Sequence, residues 1–335
     1  PAYGTNVLTN VLSEAGGLPT HNFRMGSCDH AENISGETMA ANIEARDGKT
    51  THGCHSGCII QCSQVYMDKM KNYKTSGFEY ETIWAFGANF GIKDLDLIAD
   101  LDYMMDDYGL DSIEIGVTFA VAAEAGILEF GDGQACYNLL NEIAKGTPMG
   151  RIIGSGAAVL GRLYGLTRVP TVKGQSIPAY DPRAVKGQGI TYATTPMGAD
   201  HTAGYAVASN ILGCGVITDP LKKEGQIELS RNLQIASAAV DSTGMCIFVA
   251  FPALDDETCL PALIDMINAR FGISLTGEDV TNLGKRILKT ERAFNLKAGL
   301  SAADDRLPEF FEEALPPHNV SWDFTPEEID SFWDF

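Results

Sequence analysis

The sequence predicts a predominantly α-helical protein in two lobes, and three observations carry that expectation. Apolar residues recur at helical spacing over most of the 335 residues. Few stretches alternate apolar and polar for long enough to make a strand. A stretch from 166 to 195 holds Pro170, Pro178, Pro182 and glycines at 174, 187 and 189, and so divides the chain near its middle. The expected lobes are therefore 1–170 and 171–335.

Taken in order, residues 1 to about 53 read mostly as coil, with a helix around Glu37 to Glu44. A helical pattern is expected from Cys58 to Lys69, irregular at its start because of Gly53 and Gly57. Glu79 to Phe90 reads as a helix. Asp94 to Asp106 is another, striped by Leu95, Ile98, Leu101, Tyr103 and Met105 and broken by Gly109. Asp111 is the expected N-cap of an apolar helix from Ile113 to Ala125. Helices follow at Gln134 to Lys145 and Gly150 to Tyr164. Beyond the dividing stretch they resume at Tyr205 to Leu212, Lys222 to Ala239, Leu260 to Phe271 and Asp279 to Ala298. The acidic, aromatic tail from Pro316 to Phe335 reads either as an ordered lid or as a loose end.

Composition narrows the class of partner. Apolar residues are 45% and charged residues 20%, which excludes a disordered or collagenous chain. Lys plus Arg total 24 against 44 Asp plus Glu, a formal charge of −20. That balance argues against tracking a phosphate backbone and against an anionic membrane surface. Small molecules or a redox partner fit better. No window is apolar enough for a transmembrane helix. With no signal-peptide pattern after Pro1, the cytoplasm is the default location. An opening without Met is read as a fragment of a longer protein.

The chemistry concentrates in a few motifs. Of eight cysteines, Cys54, Cys58 and Cys62 fall within nine residues, spaced four apart. On a helix they would share one face; in a short loop they could wrap around a cluster corner. Thiolates are soft ligands suited to an iron–sulfur cluster or to zinc, for which His52 and His55 are also at hand. A 4Fe–4S cluster needs a fourth thiolate from elsewhere. The plain alternative is three small buried side chains. Cys28, Cys136, Cys214 and Cys259 have no partner spacing and read as structural.

Two turns share a pattern. Asp106-Asp-Tyr-Gly109-Leu110-Asp111 and Asp241-Ser-Thr-Gly244-Met245-Cys246 each run acid, two residues, glycine, apolar residue, then Asp or Cys. Each ends a helical stretch at a glycine able to take a positive φ. Each also presents a carboxylate able to accept paired N–H bonds from a planar heterocycle such as a pterin. Singly, either is an ordinary helix C-cap; the pair beside the thiols is the strongest signal in the chain.

On these residues the chain resembles domains 2 and 3, the C-terminal part, of the aldehyde ferredoxin oxidoreductase family. Further segments agree in order: Gly77-Phe-Glu-Tyr-Glu-Thr82, Ile177-Pro-Ala-Tyr-Asp-Pro-Arg183, Tyr192-Ala-Thr194, Gly198-Ala-Asp-His201, Arg292-Ala-Phe-Asn295 and Asp304-Asp-Arg-Leu-Pro308. Leu18-Pro-Thr-His-Asn-Phe23 resembles the start of the family's second domain. The sequence departs from the family at Met245, usually Leu, at Phe78, usually Pro, and in the longer first cysteine gap.

The resemblance implies a tungsten or molybdenum bis-pterin (molybdopterin) cofactor beside a 4Fe–4S cluster. It assigns Cys54, Cys58, Cys62 and Cys246 to the cluster. It assigns Asp106, Gly109, Leu110 and Asp111, with Asp241, Gly244, Met245 and Cys246, to the two pterins. Glu81 and His201 match the acid/base residues beside the metal. The implied activity is oxidation of an aldehyde to a carboxylic acid, with electrons passing to ferredoxin or a partner subunit. It further implies an N-terminal β-rich domain, as part of a parent chain or as a separate polypeptide, and a possible homo-oligomer.

Taken alone, Glu81 is a solvated first-turn acid and His201 a capped or core histidine. Asp200 could orient His201 or simply cap the helix that follows. Tyr80 and Tyr192 could line a pocket or belong to the core. Lys285, Arg286, Lys289 and Arg292 make a basic helix face, read as solvated or as a docking face for an acidic ferredoxin. Rival functions are another reaction of the superfamily, such as sugar-aldehyde oxidation or aryl-CoA reduction, and a non-catalytic iron–sulfur scaffold that has lost the pterin.

Overall fold

The structure, a computed structural model, describes residues 2–335. By their contacts these residues form two compact units. The first runs to Ala184 and includes Pro308–Ser321; the second is Val185–Leu307 with Trp322–Phe335. Both are mainly helical, as expected.

The first unit begins with α1 (Leu8–Glu14) and α2 (Gly36–Ala45), so its opening holds one more helix than the turn-rich sequence predicts. A three-stranded antiparallel sheet follows, in the order β1 (Lys49–His52), β2 (Ser63–Met67), β3 (Tyr73–Ser76). The helix expected over 58–69 is therefore absent. Val65 and Tyr66 pair across to Ser76 and Thr75, and strand pairing decides the conformation of a segment too short to hold a helix alone.

Helix α3 (Tyr80–Phe86) is the core of this unit, with Tyr80, Thr82, Ile83, Trp84, Ala85 and Phe86 all buried. Around it lie α4 (Leu95–Tyr108), α5 (Ser112–Glu124), α6 (Gly133–Lys145), α7 (Pro148–Ile153) and α8 (Ala157–Tyr164). The helix expected from 150 to 164 is thus two helices, parted at Gly154–Gly156. Helix α5 crosses α3 closely because residue 116 is glycine: a Cβ there would sit 2.5 Å from that of Ala85. Trp84 donates its indole N–H to the Pro19 carbonyl at 2.7 Å and packs edge-on against Phe23, which also meets Phe311. Emptying such a site costs about 3–5 kcal/mol.

His21, Asn22 and Phe23 take positive φ in succession, an unfavourable conformation for residues other than glycine. Two of their N–H groups are satisfied by the carbonyls of Ala88 and Asn89. A short hairpin, β4 (Thr171–Val172) and β5 (Gln175–Ser176), leads out of the helices. Beyond it the Arg183 guanidinium and the Asp181 carboxylate form a fully buried ion pair, the two groups 2.7 Å apart.

In the second unit α9 (Lys186–Thr194) is buried at all nine positions. Against it pack α10 (Val207–Asn210) and α11 (Gln226–Asp241), followed along the chain by α12 (Ile247–Ala250), α13 (Cys259–Phe271), α14 (Gly277–Ala298) and α15 (Pro326–Asp330). Gly284 lets α14 close on α11, since a Cβ there would fall 2.0 Å from the Ile235 carbonyl oxygen. The tail is ordered: Ile329 and Phe332 are buried, and Arg231 donates to the Ser331 and Phe332 carbonyls. Among the described residues no helix is long and apolar enough to cross a membrane.

Candidate functional site

The three clustered cysteines lie in the loop between β1 and β2, Cys54 exposed and Cys58 and Cys62 half-buried, none of them in a disulfide. Gly57 and Gln61 take positive φ there, so the loop coils irregularly. Among the described residues no three His, Cys, Asp or Glu side chains gather closely enough to hold a metal ion. Cys246, in the second unit, is exposed at the start of α12.

The two matched turns have matching backbones. Gly109 ends α4 at φ +67°, and its N–H returns to the Asp106 carbonyl at 3.2 Å. Gly244 follows α11 at φ +75°, and its N–H returns to the Asp241 carbonyl at 3.0 Å. Apart from its own chain neighbours, neither glycine has an atom within 4 Å of where a Cβ would stand, so each turn leaves open space on that side. Asp106, Asp111, Asp241 and Cys246 are exposed, and Leu110 and Met245 half-buried. Asp111 also caps α5, accepting the Glu114 N–H at 2.7 Å. Partial desolvation at this exposed site, reinforced by Asp200, holds the Asp241 carboxyl above the usual carboxylate range.

Glu81 stands in the first turn of α3, half-buried, and its Oε2 accepts the Ala179 N–H at 3.1 Å. It is therefore held rather than freely solvated. Its neighbour Tyr80 is a core residue, donating its hydroxyl to the Ala179 carbonyl at 2.9 Å and packing on Tyr180. Tyr192 is likewise fully buried, in α9.

His201 lies half-buried in the irregular segment between α9 and α10, its ring 6.4 Å from that of Tyr205. The Asp200 carboxylate accepts the N–H and hydroxyl of Thr202, at 2.8 and 2.9 Å, and so shapes the turn around the histidine. On the basic face of α14, Arg292 pairs with Asp305 at 2.6 Å and stacks on Trp333, and Lys289 lies over Phe335, so half of that face serves packing.

Sequence reasoning missed Asp102. It is buried one helical turn before Asp106 and accepts the Thr75 hydroxyl at 2.6 Å. Burial, with the nearby Asp106 and Glu79, pushes its carboxyl up to about 7 despite hydrogen bonds from Thr75 and Thr82. Thr82 in turn bonds Ser112, beside Asp111, at 2.7 Å. Glu79 is also raised, by burial, against hydrogen bonds from Thr5 and Ser63. The only sequence signal was a lone acid within an apolar stripe.

A family model described as aldehyde ferredoxin oxidoreductase, domains 2 and 3, matches residues 1–330. The chain is 36% identical over 338 residues to a tungsten-containing aldehyde ferredoxin oxidoreductase of Pyrococcus horikoshii, covering 94% of this chain and 54% of that protein. A protein of the same name from Pyrococcus furiosus is also 36% identical, over 94% of this chain and 53% of its own length. The aliphatic sulfonate oxidoreductase, WOR-like subunit, of Pyrococcus furiosus is 27% identical over 84% of this chain and 46% of its own length. The chain spans about half the length of these relatives.

Proposed function

Since the chain belongs to the aldehyde ferredoxin oxidoreductase family, matching its domains 2 and 3, we propose that it is the part of an aldehyde-oxidising enzyme that holds a bis-pterin tungsten or molybdenum centre and a 4Fe–4S cluster. The observation that carries this reading is the pair of matched turns, each with a left-handed glycine, open space beside it and an exposed carboxylate. Carboxylates so presented are suited to accept paired N–H bonds from a pterin edge: Asp106 and Asp111 in one unit, Asp241 in the other. Leu110 and Met245 offer an apolar flank to each. The thiols of Cys54, Cys58, Cys62 and Cys246 are in no disulfide and at least partly exposed, the donor chemistry an iron–sulfur cluster needs.

When bound, the metal centre supplies acceptance of two electrons, and the cluster supplies their one-by-one transfer to ferredoxin or a partner subunit. The chain's own residues then manage protons. Oxidation of an aldehyde to an acid adds one water-derived oxygen and releases two protons with the two electrons. Glu81, fixed through Ala179, takes a proton from the water that becomes that oxygen. The His201 imidazole donates a hydrogen bond to the carbonyl oxygen as charge develops there. The sulfonate oxidoreductase relative favours one second reading, a different substrate handled by the same residues.

The test is metal and pterin analysis of anaerobically purified full-length protein, with aldehyde-dependent dye reduction. Iron with tungsten or molybdenum, and reduction that Glu81→Gln lowers at least a hundredfold, supports the reading. Zinc in place of iron, or a cluster without pterin, overturns it in favour of a scaffold.

A further inference from the structure

The segment carrying His201 is short of regular structure, yet its main chain is bound from below by α9. Gln188, fully buried on that helix, donates its Nε2–H to the His201 carbonyl at 3.1 Å and accepts the Ala206 N–H on Oε1 at 3.0 Å. One amide therefore spans both ends of the loop from 201 to 206. Three residues further along α9, the buried Thr191 hydroxyl donates to the Gly204 carbonyl at 2.8 Å, and it is itself tied to Ser230 of α11 at 2.7 Å. The loop is thus anchored at three main-chain points, two of them through a single side chain.

Helix packing does not explain a glutamine there. At a position with no solvent exposure, an amide costs free energy unless both its ends are paired. An apolar side chain of the same length would fill α9 without that demand. The two partners that satisfy Gln188 both belong to the loop of His201, and one is the main chain of His201 itself.

We infer that Gln188 is a positioning residue for His201, bracing the 201–206 loop so that the imidazole is presented in one place. The inference rests on the proposed role of His201 and adds a residue to it. An imidazole that must meet a developing charge gains from being held beforehand, since a shift of about 1 Å costs a large part of the rate.

The test compares Gln188→Leu with Gln226→Leu. Gln226 is an equally buried glutamine on α11 whose amide bonds Asn210 and the Asp219 and Lys222 carbonyls, none of them in the loop. The first readout needs no cofactor: the rate at which diethylpyrocarbonate modifies His201, followed by peptide mass spectrometry. Gln188→Leu is expected to raise that rate about tenfold, the equivalent of one buried hydrogen bond, while Gln226→Leu leaves it near wild type. Equal rates in the two variants overturn the inference. Should Gln188→Leu not fold, Gln188→Glu keeps the shape and the acceptor for Ala206. Its expected rate lies between wild type and tenfold, and a wild-type rate overturns the inference.

The second readout is the loaded full-length enzyme. Gln188→Leu is expected to lower kcat about tenfold with KM for the aldehyde unchanged, because the imidazole acts on charge that develops only in the transition state. A fall shared equally by Gln226→Leu overturns the positioning role. If His201→Ala turns over at the wild-type rate, the reading beneath the inference fails, and the inference with it. If His201→Ala is slow and Gln188→Leu is not, the inference alone fails.

Discussion

The two matched turns share a backbone but not a setting. The first lies between α4, with seven buried residues, and α5, with eight, and Asp111 caps the second of these helices. The other leads into α12, which has four residues, none buried, and no side-chain cap. Beyond it α13 buries only Ile264 and leaves Met266 and Phe271 largely exposed. One turn is therefore packed on both flanks, while its counterpart is held on one flank, by α11, and runs on the other into a lightly buried segment. Under the proposed function the first is the half of the cradle supported on both flanks, and the second gains support on its outer flank from the cofactor and cluster it meets.

The largest expected effect is at the less supported turn. Cys246→Ala removes the proposed fourth thiolate from a lightly buried segment, and the protein should lose most of its iron. Cys214→Ala, in the same unit but outside the motif, should keep it. Iron analysis with the charge-transfer absorbance of the cluster reads both. Equal iron in the two variants would break the ligand assignment and with it the contrast between the turns.

The next effect lies beneath the first turn. Asp102 holds its proton to about pH 7 because it is buried beside Asp106 and Glu79. A carboxyl raised in the folded state binds protons that the unfolded chain releases near pH 4. Stability is then fully present below that pH and falls as pH rises through about 7. Asn mimics the protonated acid. Asp102→Asn should therefore match wild type near pH 3, draw ahead of it from about pH 4, and exceed it at pH 8 by at most about 4 kcal/mol for a shift of about three units. Urea midpoints across that range measure it. A wild-type pH dependence in the variant would mean that Asp102 is ionised in the fold.

How much of this was legible in the sequence follows the same contrast. Helices with a strong stripe and a cap, such as α4 with Gly109 or α5 with Asp111, were readable because the signal is local. The strand at Ser63–Met67 was not, because its pairing partners are Lys49–His52 and Tyr73–Ser76, and nothing within 58–69 itself distinguishes strand from helix. The site motifs were found through spacing and family resemblance. Asp102 and Gln188 were not, because each depends on groups brought near by folding: Glu79 and Thr82 on a separate helix turn, and the main chain of His201 and Ala206.

The smallest effect sharpens the comparison most directly. Asp111→Ala removes the cap of α5 and should lower stability by about 1 kcal/mol, because an unpaired N–H is left at the start of a largely buried helix. Asp241→Ala makes the corresponding change in the motif, but its carboxylate is exposed and caps no helix. Its removal should leave the midpoint of apo-protein unfolding within about 0.5 kcal/mol of wild type. Under the proposed function both variants should bind pterin less well. The two carboxylates would then be alike toward the cofactor and unlike toward the fold. Equal stability losses in the apo protein would show that the second turn is as firmly built as the first.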